Sequence, residues 1–501
     1  MPASPDAPAS SPHAPPGSDA AASTAHHRRW WALVVIALAQ LMVVLDATIV
    51  NIALPRAQAD LGISDADRAW VVTSYALAFG SLLLLGGRIA DYWGRKRTFL
   101  TGMAGFAVAS AIGGLAQNGW ELFAARALQG VFAALLAPAA LALLTITFPS
   151  GRERGTAFAV FGTIAGGGAA VGLVLGGVLT EYASWRWCLL VNIPIALVGI
   201  AAAVPLLRES RASGSTRYDW PGVVLVALGL GSLVYGFTQA EDGWDRPSAW
   251  GLIVVGAVLL AVFVAVERRV ANPLLPLRVP LHRDRGAAYL AALLTGATLL
   301  GGLLFLTFYF QIVLGYSPIR AGVASLPLTA AIMVTAPNVA RVMPRTGPRP
   351  LMVIGSVIAA LGLFWLTQIS ADGGFALHVL PGVLLLGVGL AFLFVPLQNT
   401  ALVGVGDHDA GVASALVNAC QQIGGSLGTA IFSTIALSAT ESFVPTAATG
   451  PEAGMQALVA GYSAVFWWAG GLTLLIAPIA FFLVKARTGD LAAIEGPVHV
   501  G

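Results

Sequence analysis

The sequence is poor in charged residues and in cysteine, and each shortage excludes a class of protein. Only 10% of its 501 residues are Asp, Glu, Lys or Arg, against about 25% in soluble domains, which excludes an ordinary water-soluble protein. The two cysteines, Cys188 and Cys420, lie in apolar runs without a CxxC pair, so neither a disulfide framework nor a zinc site is expected. The basic residues are scattered along the chain, and no nucleic-acid partner is expected.

Apolar residues make up 57% of the chain and fall into long runs. A bilayer core of about 30 Å needs about 20 helical residues to cross it. Polar breaks divide the sequence into fourteen runs of that kind, which predict an all-α integral membrane protein surrounded by lipid. The predicted spans cover residues 31–54, 70–89, 98–117, 121–148, 155–181, 187–207, 220–239, 249–267, 287–314, 320–343, 350–370, 376–402, 411–438 and 459–484.

Basic residues near the span ends predict the orientation. Most of them fall in every second connection between spans. With fourteen spans, these connections and both termini would lie on the same side of the cell membrane, and the positive-inside rule predicts that this side is cytoplasmic. Two longer linkers suggest a 6+2+6 plan around a central pathway, for which a monomer suffices although the oligomeric state stays open. The predicted parts are a disordered tail 1–29, a six-helix bundle 30–207, a linker with two extra helices 208–286, a second six-helix bundle 287–485, and a tail 486–501.

Ionisable residues inside spans are costly, and two stand out. Asp46 lies in the first span and Arg126 in the fourth, at depths that could coincide. Each costs about 2.5–3.5 kcal/mol at the bilayer centre on the insertion scale. Asp46 could be a carboxyl that loads and releases a proton, or a carboxylate permanently paired with Arg126 or capped by Thr48 and Asn51. Arg126 could tune that acid, or serve only as a structural or snorkelling residue.

Amide side chains and glycines are the other features of the spans. The amides could line a path for a small amphiphilic substrate or only bond between helices; the candidates are Gln40, Asn51, Gln129, Gln311, Gln398, Asn399, Asn418 and Gln422. Gly172, Gly176 and Gly177 in the fifth span predict close helix packing, either fixed or at a moving interface. The chain shows no HExxH or GxSxG motif together with catalytic partners at membrane depth, so we expect no enzyme, no catalytic residues, and neither a metal nor a cofactor.

Several motifs resemble a known family. The segment GRIADYWGRKR, which contains Gly87, Asp91, Gly94, Arg95 and Lys96, resembles the loop motif of the major facilitator superfamily. Four further strings are similar to motifs of its 14-helix drug:proton antiporters of the EmrB/QacA type: LDATIVNIALP (45–55), RALQG (126–130), SWRWCLLVNIP (184–194) and GYSPIRAGVASLP (315–327). One departure is Leu173, which stands where the fifth-span motif usually has proline.

The resemblance implies a major facilitator fold and proton-coupled efflux of hydrophobic or amphiphilic drugs or antibiotics by alternating access. Protons would be the energy source, with Asp46 and Arg126 in proton coupling. The loop around Asp91 would stabilise the state closed toward the cytoplasm, against the helix start near Gly411. The alternative is a dedicated exporter of one endogenous metabolite, such as a self-made antibiotic or an amino acid.

Overall fold

All the regular secondary structure in the part described by the computed structural model is helical; this part comprises residues 18–65, 67–148, 151–211, 219–239, 247–270, 273–405, 407–443 and 451–486. The helices are α1 (Ser18–Leu61), α2 (Trp70–Trp93), α3 (Arg95–Gly114), α4 (Gly119–Thr147), α5 (Gly151–Tyr182), α6 (Trp187–Leu190), α7 (Asn192–Leu206), α8 (Trp220–Gln239), α9 (Pro247–Glu267), α10 (Arg283–Phe308), α11 (Pro318–Thr346), α12 (Pro348–Leu366), α13 (Leu380–Thr400), α14 (Asp407–Ser442), α15 (Pro451–Leu474) and α16 (Ile476–Leu483).

These helices account for the fourteen predicted crossings. Within the described residues, twelve helical segments are long and apolar enough to span a membrane, and α3 and α5 add two more of sufficient length, at 20 and 32 residues. Some crossings have two parts, because α6 meets α7 at Val191 and α15 meets α16 at Leu475. The prediction of an all-α, multi-pass membrane protein is confirmed.

The helices pack as two six-span bundles and a separate pair. α1 to α7 pack among themselves, as do α10 to α16. α8 and α9 pack against each other, and α8 also contacts α2 and α14. The bundles meet chiefly where α2 packs on α14 and where α5 packs on α11. The extra helix pair therefore flanks one of the two contact lines between the bundles.

Two helix boundaries differ from the sequence prediction. α1 begins at Ser18, inside the segment 1–29 that was predicted to be a disordered tail, because the Ala-rich stretch before the first span favours helix. Gly87 and Asp91 lie within α2, and the predicted α2–α3 loop is reduced to the single residue Gly94. The φ of Gly94 is 124°, a value that glycine adopts more readily than residues with a side chain. Residues 1–17 and 487–501 of the predicted tails lie outside the described residues.

The two bundles are in contact at one end of the molecule. We call the end that carries Gly94 the inner end, and the opposite one the outer end. At the outer end a Cβ on Gly177 would lie 2.6 Å from the Ile319 Cα, and Glu181 Oε2 accepts a hydrogen bond of 3.1 Å from the Ile319 amide.

The inner half of α11 is exposed on more than one side. Met333 and Val342 are 44% and 42% exposed, although they lie on opposite sides of the helix at 3.6 residues per turn. One lipid-facing stripe cannot contain both side chains. The structure is therefore closed at the outer end and open at the inner end.

Candidate functional site

The site is a buried ion pair between the first and fourth spans. Arg126 Nη1 donates to Asp46 Oδ2 over 2.6 Å, and the two side chains are 1% and 0% exposed. Thr48 and Asn51, the alternative caps considered for Asp46, donate instead to carbonyls of their own helix. Of the structural alternatives for Asp46, the pairing with Arg126 is therefore the one present.

Two amides complete the shell of the carboxylate. Gln129 Nε2 and Asn192 Nδ2 each donate to Asp46 Oδ1 over 3.0 Å. Gln129 also donates to Ser110 Oγ over 2.7 Å and accepts from Arg126 Nη1 over 2.8 Å. With three donors, the ionised form of Asp46 is fully satisfied by hydrogen bonds although it is out of contact with solvent.

The guanidinium is also fixed from the second helix. Arg126 Nε donates to the Val71 carbonyl over 2.9 Å, and the guanidinium carbon lies 4.5 Å from the centre of the Tyr75 ring. α4 therefore carries the arginine and α2 fixes its orientation, while α1 carries the carboxylate. A proton added to Asp46 would remove one charge of the pair and leave Arg126 buried with an unbalanced charge, which is a strong drive to rearrange.

Helix geometry places the ion pair away from the contact between α1 and α5. Gln40, Val44 and Thr48 are half-buried and follow one another at four-residue spacing on one face of α1. Val44 and Thr48 of this face lie against Gly168 and Gly172 of α5. Asp46 is two residues from Val44, about 200° around the helix, so the carboxylate points to the side of α1 that faces away from α5.

The glycines of α5 lie against α1 and α11. A Cβ on Gly172 would collide with Thr48 Oγ1, and one on Gly176 would lie 2.9 Å from Ile49 Cγ1. Gly177 faces Ile319 on α11. α5 is thus in close contact both with the helix that bears Asp46 and with the opposite bundle, and it runs unbroken past Leu173. Whether this interface moves stays a prediction.

The predicted gating loop is tied to the linker after α7. Asp91 Oδ1 accepts from Arg95 Nη2 over 2.9 Å, and Lys96 Nζ donates to the Val204 carbonyl over 2.6 Å. Glu209 caps α3, since its two oxygens accept from the Lys96 and Arg97 amides, each over 3.1 Å. The surroundings of Gly411, which the sequence suggested as the partner of Asp91, lie outside the described side chains.

The amides proposed for a substrate path occupy different places. Gln129 is completely buried in the ion-pair shell, and Asn51 is buried with its Oδ1 unpartnered. Gln311 joins the bundles by donating to the Ile52 carbonyl over 2.8 Å. The rest are half-buried, apart from the exposed Asn418; they are Gln40, Gln398, Asn399 and Gln422. Their role in substrate binding remains a prediction.

Asn192 and Ser110 were not predicted from the sequence. Asn192 is the only polar residue of α7, Ser110 lies in an otherwise apolar stretch of α3, and both are fully buried. Asn192 is the first residue of α7, just after the break at Val191, and this break places its amide beside Asp46. The signal that could have identified Asn192 is a polar residue at a helix break within a span.

Among the described residues, no group of three or more His, Cys, Asp or Glu side chains has a metal-binding arrangement. The Asp46 site contains one carboxylate, and that carboxylate is already occupied by protein donors. The chemistry that the site can perform is the uptake and release of a proton.

Comparison with known proteins agrees with this architecture. Residues 36–429 match the family model of the Major Facilitator Superfamily. The chain is 48% identical to the puromycin resistance protein of Streptomyces alboniger, with 91% of each chain covered. It is 41% identical to the cephamycin export protein of Amycolatopsis lactamdurans, covering 81% of this chain and 85% of that one. It is 33% identical to the tetracenomycin C resistance and export protein of Streptomyces glaucescens, covering 93% and 94%.

Solved structures show the same fold at low identity. A nucleoside transporter aligns with a TM-score of 0.64 at 12% identity, covering 91% of this chain and 100% of that one. A proton-dependent oligopeptide transporter aligns with a TM-score of 0.61 at 16% identity, covering 93% and 100%.

Proposed function

The chain belongs to the Major Facilitator Superfamily and is a transporter, not an enzyme, and on that premise we propose that it exports amphiphilic antibiotics or drugs in exchange for protons. The protein would lie in the cell membrane with both termini and the inner end in the cytoplasm. The main support for the proposal is the buried Asp46–Arg126 pair. Burial of a carboxylate at membrane depth is costly, and ionisable residues in such positions generally serve a function. The names of the three relatives, each given for resistance to or export of an antibiotic, support the substrate class.

The inner-open structure corresponds to the loading state of such a cycle. Asp46 is ionised and paired with Arg126, and the compound enters between the two bundles from the cytoplasm. After the bundles have closed at the inner end and opened at the outer end, a proton from outside reaches Asp46. Its neutralisation frees Arg126, shifts α1 against the α5 glycines, and favours release of the compound and return.

The proton gradient is sufficient for this work. Each proton that moves inward through 100 mV supplies about 2.3 kcal/mol. Because about 1.4 kcal/mol corresponds to a factor of ten, that energy supports roughly 50-fold accumulation of a neutral compound outside. A pH gradient adds to it.

Inverted membrane vesicles test the proposal. They are loaded with a pH gradient that a fluorescent dye reports, and puromycin is added as the probe. Wild-type protein should dissipate part of the gradient on addition of puromycin, and Asp46→Asn should not respond at equal expression. Asp372→Asn, which removes an exposed carboxylate, is the matched control and should respond like the wild type. Full proton-coupled transport by Asp46→Asn would remove this residue from the mechanism.

A dedicated exporter of a single self-made antibiotic is the narrower candidate. The cephamycin and tetracenomycin C relatives, whose names specify one compound each, favour it. A panel of antibiotics and cationic dyes in a pump-deficient host distinguishes the two. Resistance to several unrelated compounds indicates a multidrug exporter, and resistance to one chemical class indicates a dedicated exporter.

A further inference from the structure

A second pair of acidic residues is buried at the inner end, in the two extra helices. Asp219 precedes the first residue of α8, and Glu267 is the last residue of α9. They are only 6% and 4% exposed. One oxygen of each has a backbone partner, because Asp219 Oδ1 accepts from the Gly222 amide over 2.9 Å and Glu267 Oε2 accepts from the Leu275 amide over 3.0 Å.

The other two oxygens share one space. Asp219 Oδ2 and Glu267 Oε1 are buried and have no hydrogen-bond partner. Both border the position that a Cβ would occupy on Gly222, at 2.5 Å and 2.7 Å. The two oxygens are therefore no farther apart than the sum of these distances, in a cradle that exists only because residue 222 is glycine.

No described cation neutralises this pair. Within the described residues, neither carboxylate has an Arg, Lys or His nitrogen within salt-bridge distance. Arg88 on α2 donates instead to the Pro273 carbonyl and to Tyr92. The neighbouring groups Arg268, Arg269 and Arg278 are exposed.

We propose that Asp219 and Glu267 form a second proton-binding site, in which one proton lies on Glu267 Oε1 and is donated to Asp219 Oδ2. Two carboxylates this close together and shielded from water cannot both stay ionised. One shared proton provides a hydrogen bond for both of the oxygens that otherwise have no partner. The helix dipoles decide which group holds the proton. The positive N-terminus of α8 stabilises the charge on Asp219, and the negative C-terminus of α9 destabilises a charge on Glu267.

The shared proton joins three parts of the chain. It links the start of α8 to the end of α9, and Glu267 holds the segment that follows through Leu275. That segment is bound to α2 through Pro273 and Arg88, and it packs with Leu85 of α2 through Leu274. The shared proton therefore holds the extra helices against α2, and its loss places two negative charges next to each other at this contact.

The sign of the pH dependence follows from this arrangement. The folded protein holds a proton that the unfolded chain releases at lower pH, so the contribution to stability is present under acidic conditions and is lost as the pH rises. The thermal midpoint of purified full-length protein in detergent, measured from about pH 6 to about pH 9, should fall with rising pH.

Substitutions separate this site from general effects of pH. Glu267→Gln, whose amide can donate to Asp219 Oδ2 at any pH, should keep the thermal midpoint that the wild type has under acidic conditions. It should lose most of the decrease of the midpoint with rising pH. Glu267→Ala should have a low midpoint throughout. Asp372→Asn should retain the wild-type slope. A Glu267→Gln slope equal to that of the wild type would overturn the proposal.

A spectroscopic measurement does not depend on stability or on transport. The infrared band of a protonated carboxyl should be present near neutral pH, disappear in Glu267→Gln and persist in Asp46→Asn. Gly222→Ala keeps both carboxyls but fills the space between them, so it should alter the pH at which the band is lost. Gly231 on the same helix has open space around it, so Gly231→Ala should leave that pH unchanged. Absence of the band at every pH where the protein is folded refutes the shared proton.

A metal cation is the competing occupant of the cradle. If Na⁺, Mg²⁺ or Ca²⁺ raises the midpoint at alkaline pH, and Glu267→Gln abolishes that response, the pair binds a cation and the shared-proton proposal is wrong. An unchanged midpoint with each of these ions supports it.

Discussion

Asn192 lies 146 positions after Asp46 in the sequence, yet its side-chain nitrogen is 3.0 Å from Asp46 Oδ1. The amide is fully buried and belongs to a helix that starts at that residue. α7 therefore places a donor of fixed orientation against the carboxylate. The hydrogen bond from Asn192 to the carboxylate is charge-assisted and therefore stronger than one between two neutral groups.

Removal of this donor should impair proton coupling. In Asn192→Leu the carboxylate loses one of its three hydrogen-bond donors, and Asp46 Oδ1 keeps only Gln129. We expect puromycin-driven proton flux to fall, and Gln129→Leu, which removes a donor to the same oxygen, to reduce it as well. Flux in inverted vesicles equal to that of the wild type would contradict this role.

The charge of Arg126 should be essential only while Asp46 is charged. Arg126→Ala leaves a buried, uncompensated carboxylate and should lower the free energy of unfolding by about 3–5 kcal/mol. The double variant with Asp46→Asn removes the lone charge and should recover a large part of that loss. Thermal unfolding of the two single variants and the double variant forms the cycle that measures the coupling. Additive effects would mean that the two residues stabilise the fold independently.

The fold was predictable from the sequence because lipid imposes simple rules on composition and length. Fourteen apolar runs became fourteen crossings, and the exceptions lie at the ends, such as α1 continuing back to Ser18. Asp46 and Arg126 were identifiable for the same reason, since their burial is costly. Asn192 and Ser110 were not, because a neutral amide or hydroxyl in a span costs far less. Only the packing of α3, α4 and α7 around α1 shows which of these groups join the hydrogen-bond network of the carboxylate.

The linker after α7 shows a second limit of sequence analysis. Glu209 caps α3 more than a hundred positions earlier, through the Lys96 and Arg97 amides. Such a contact leaves no periodic pattern in the sequence. It also explains how the motif can reverse direction at Gly94 alone, because the free amides of the following helix find acceptors outside the motif.

Loss of this cap should weaken the α2–α3 turn. Glu209→Ala removes the acceptors for two backbone amides and should cost about 1 kcal/mol, within the range of helix caps. Glu209→Gln retains one acceptor oxygen and should cost less. Thermal unfolding in detergent measures both, with the exposed Glu452→Gln at the start of α15 as the control. Equal stability of Glu209→Ala and wild type would show that solvent satisfies these amides as well as Glu209 does.

The outer contact between the bundles should be sensitive to a single methyl group. A Cβ on Gly177 would meet the backbone of Pro318 and Ile319 at 2.8 and 2.6 Å. Overpacking of this kind costs about 1–3 kcal/mol, and here it penalises only the state closed at the outer end. Gly177→Ala should therefore shift the equilibrium toward the outward-open state by about tenfold, since about 1.4 kcal/mol corresponds to a factor of ten.

A thiol behind this contact reports the shift. Leu173→Cys, introduced together with Cys188→Ser and Cys420→Ser, places one thiol at a buried position where α5 meets Gly322 of α11. Labelling by a membrane-impermeant maleimide from outside should be about tenfold faster in Gly177→Ala, in proportion to the open population. Gly231→Ala, a glycine with open space around it, should label at the unaltered rate. Equal labelling rates for the two alanine variants would show that α5 and α11 do not separate at Gly177 when the outer end opens.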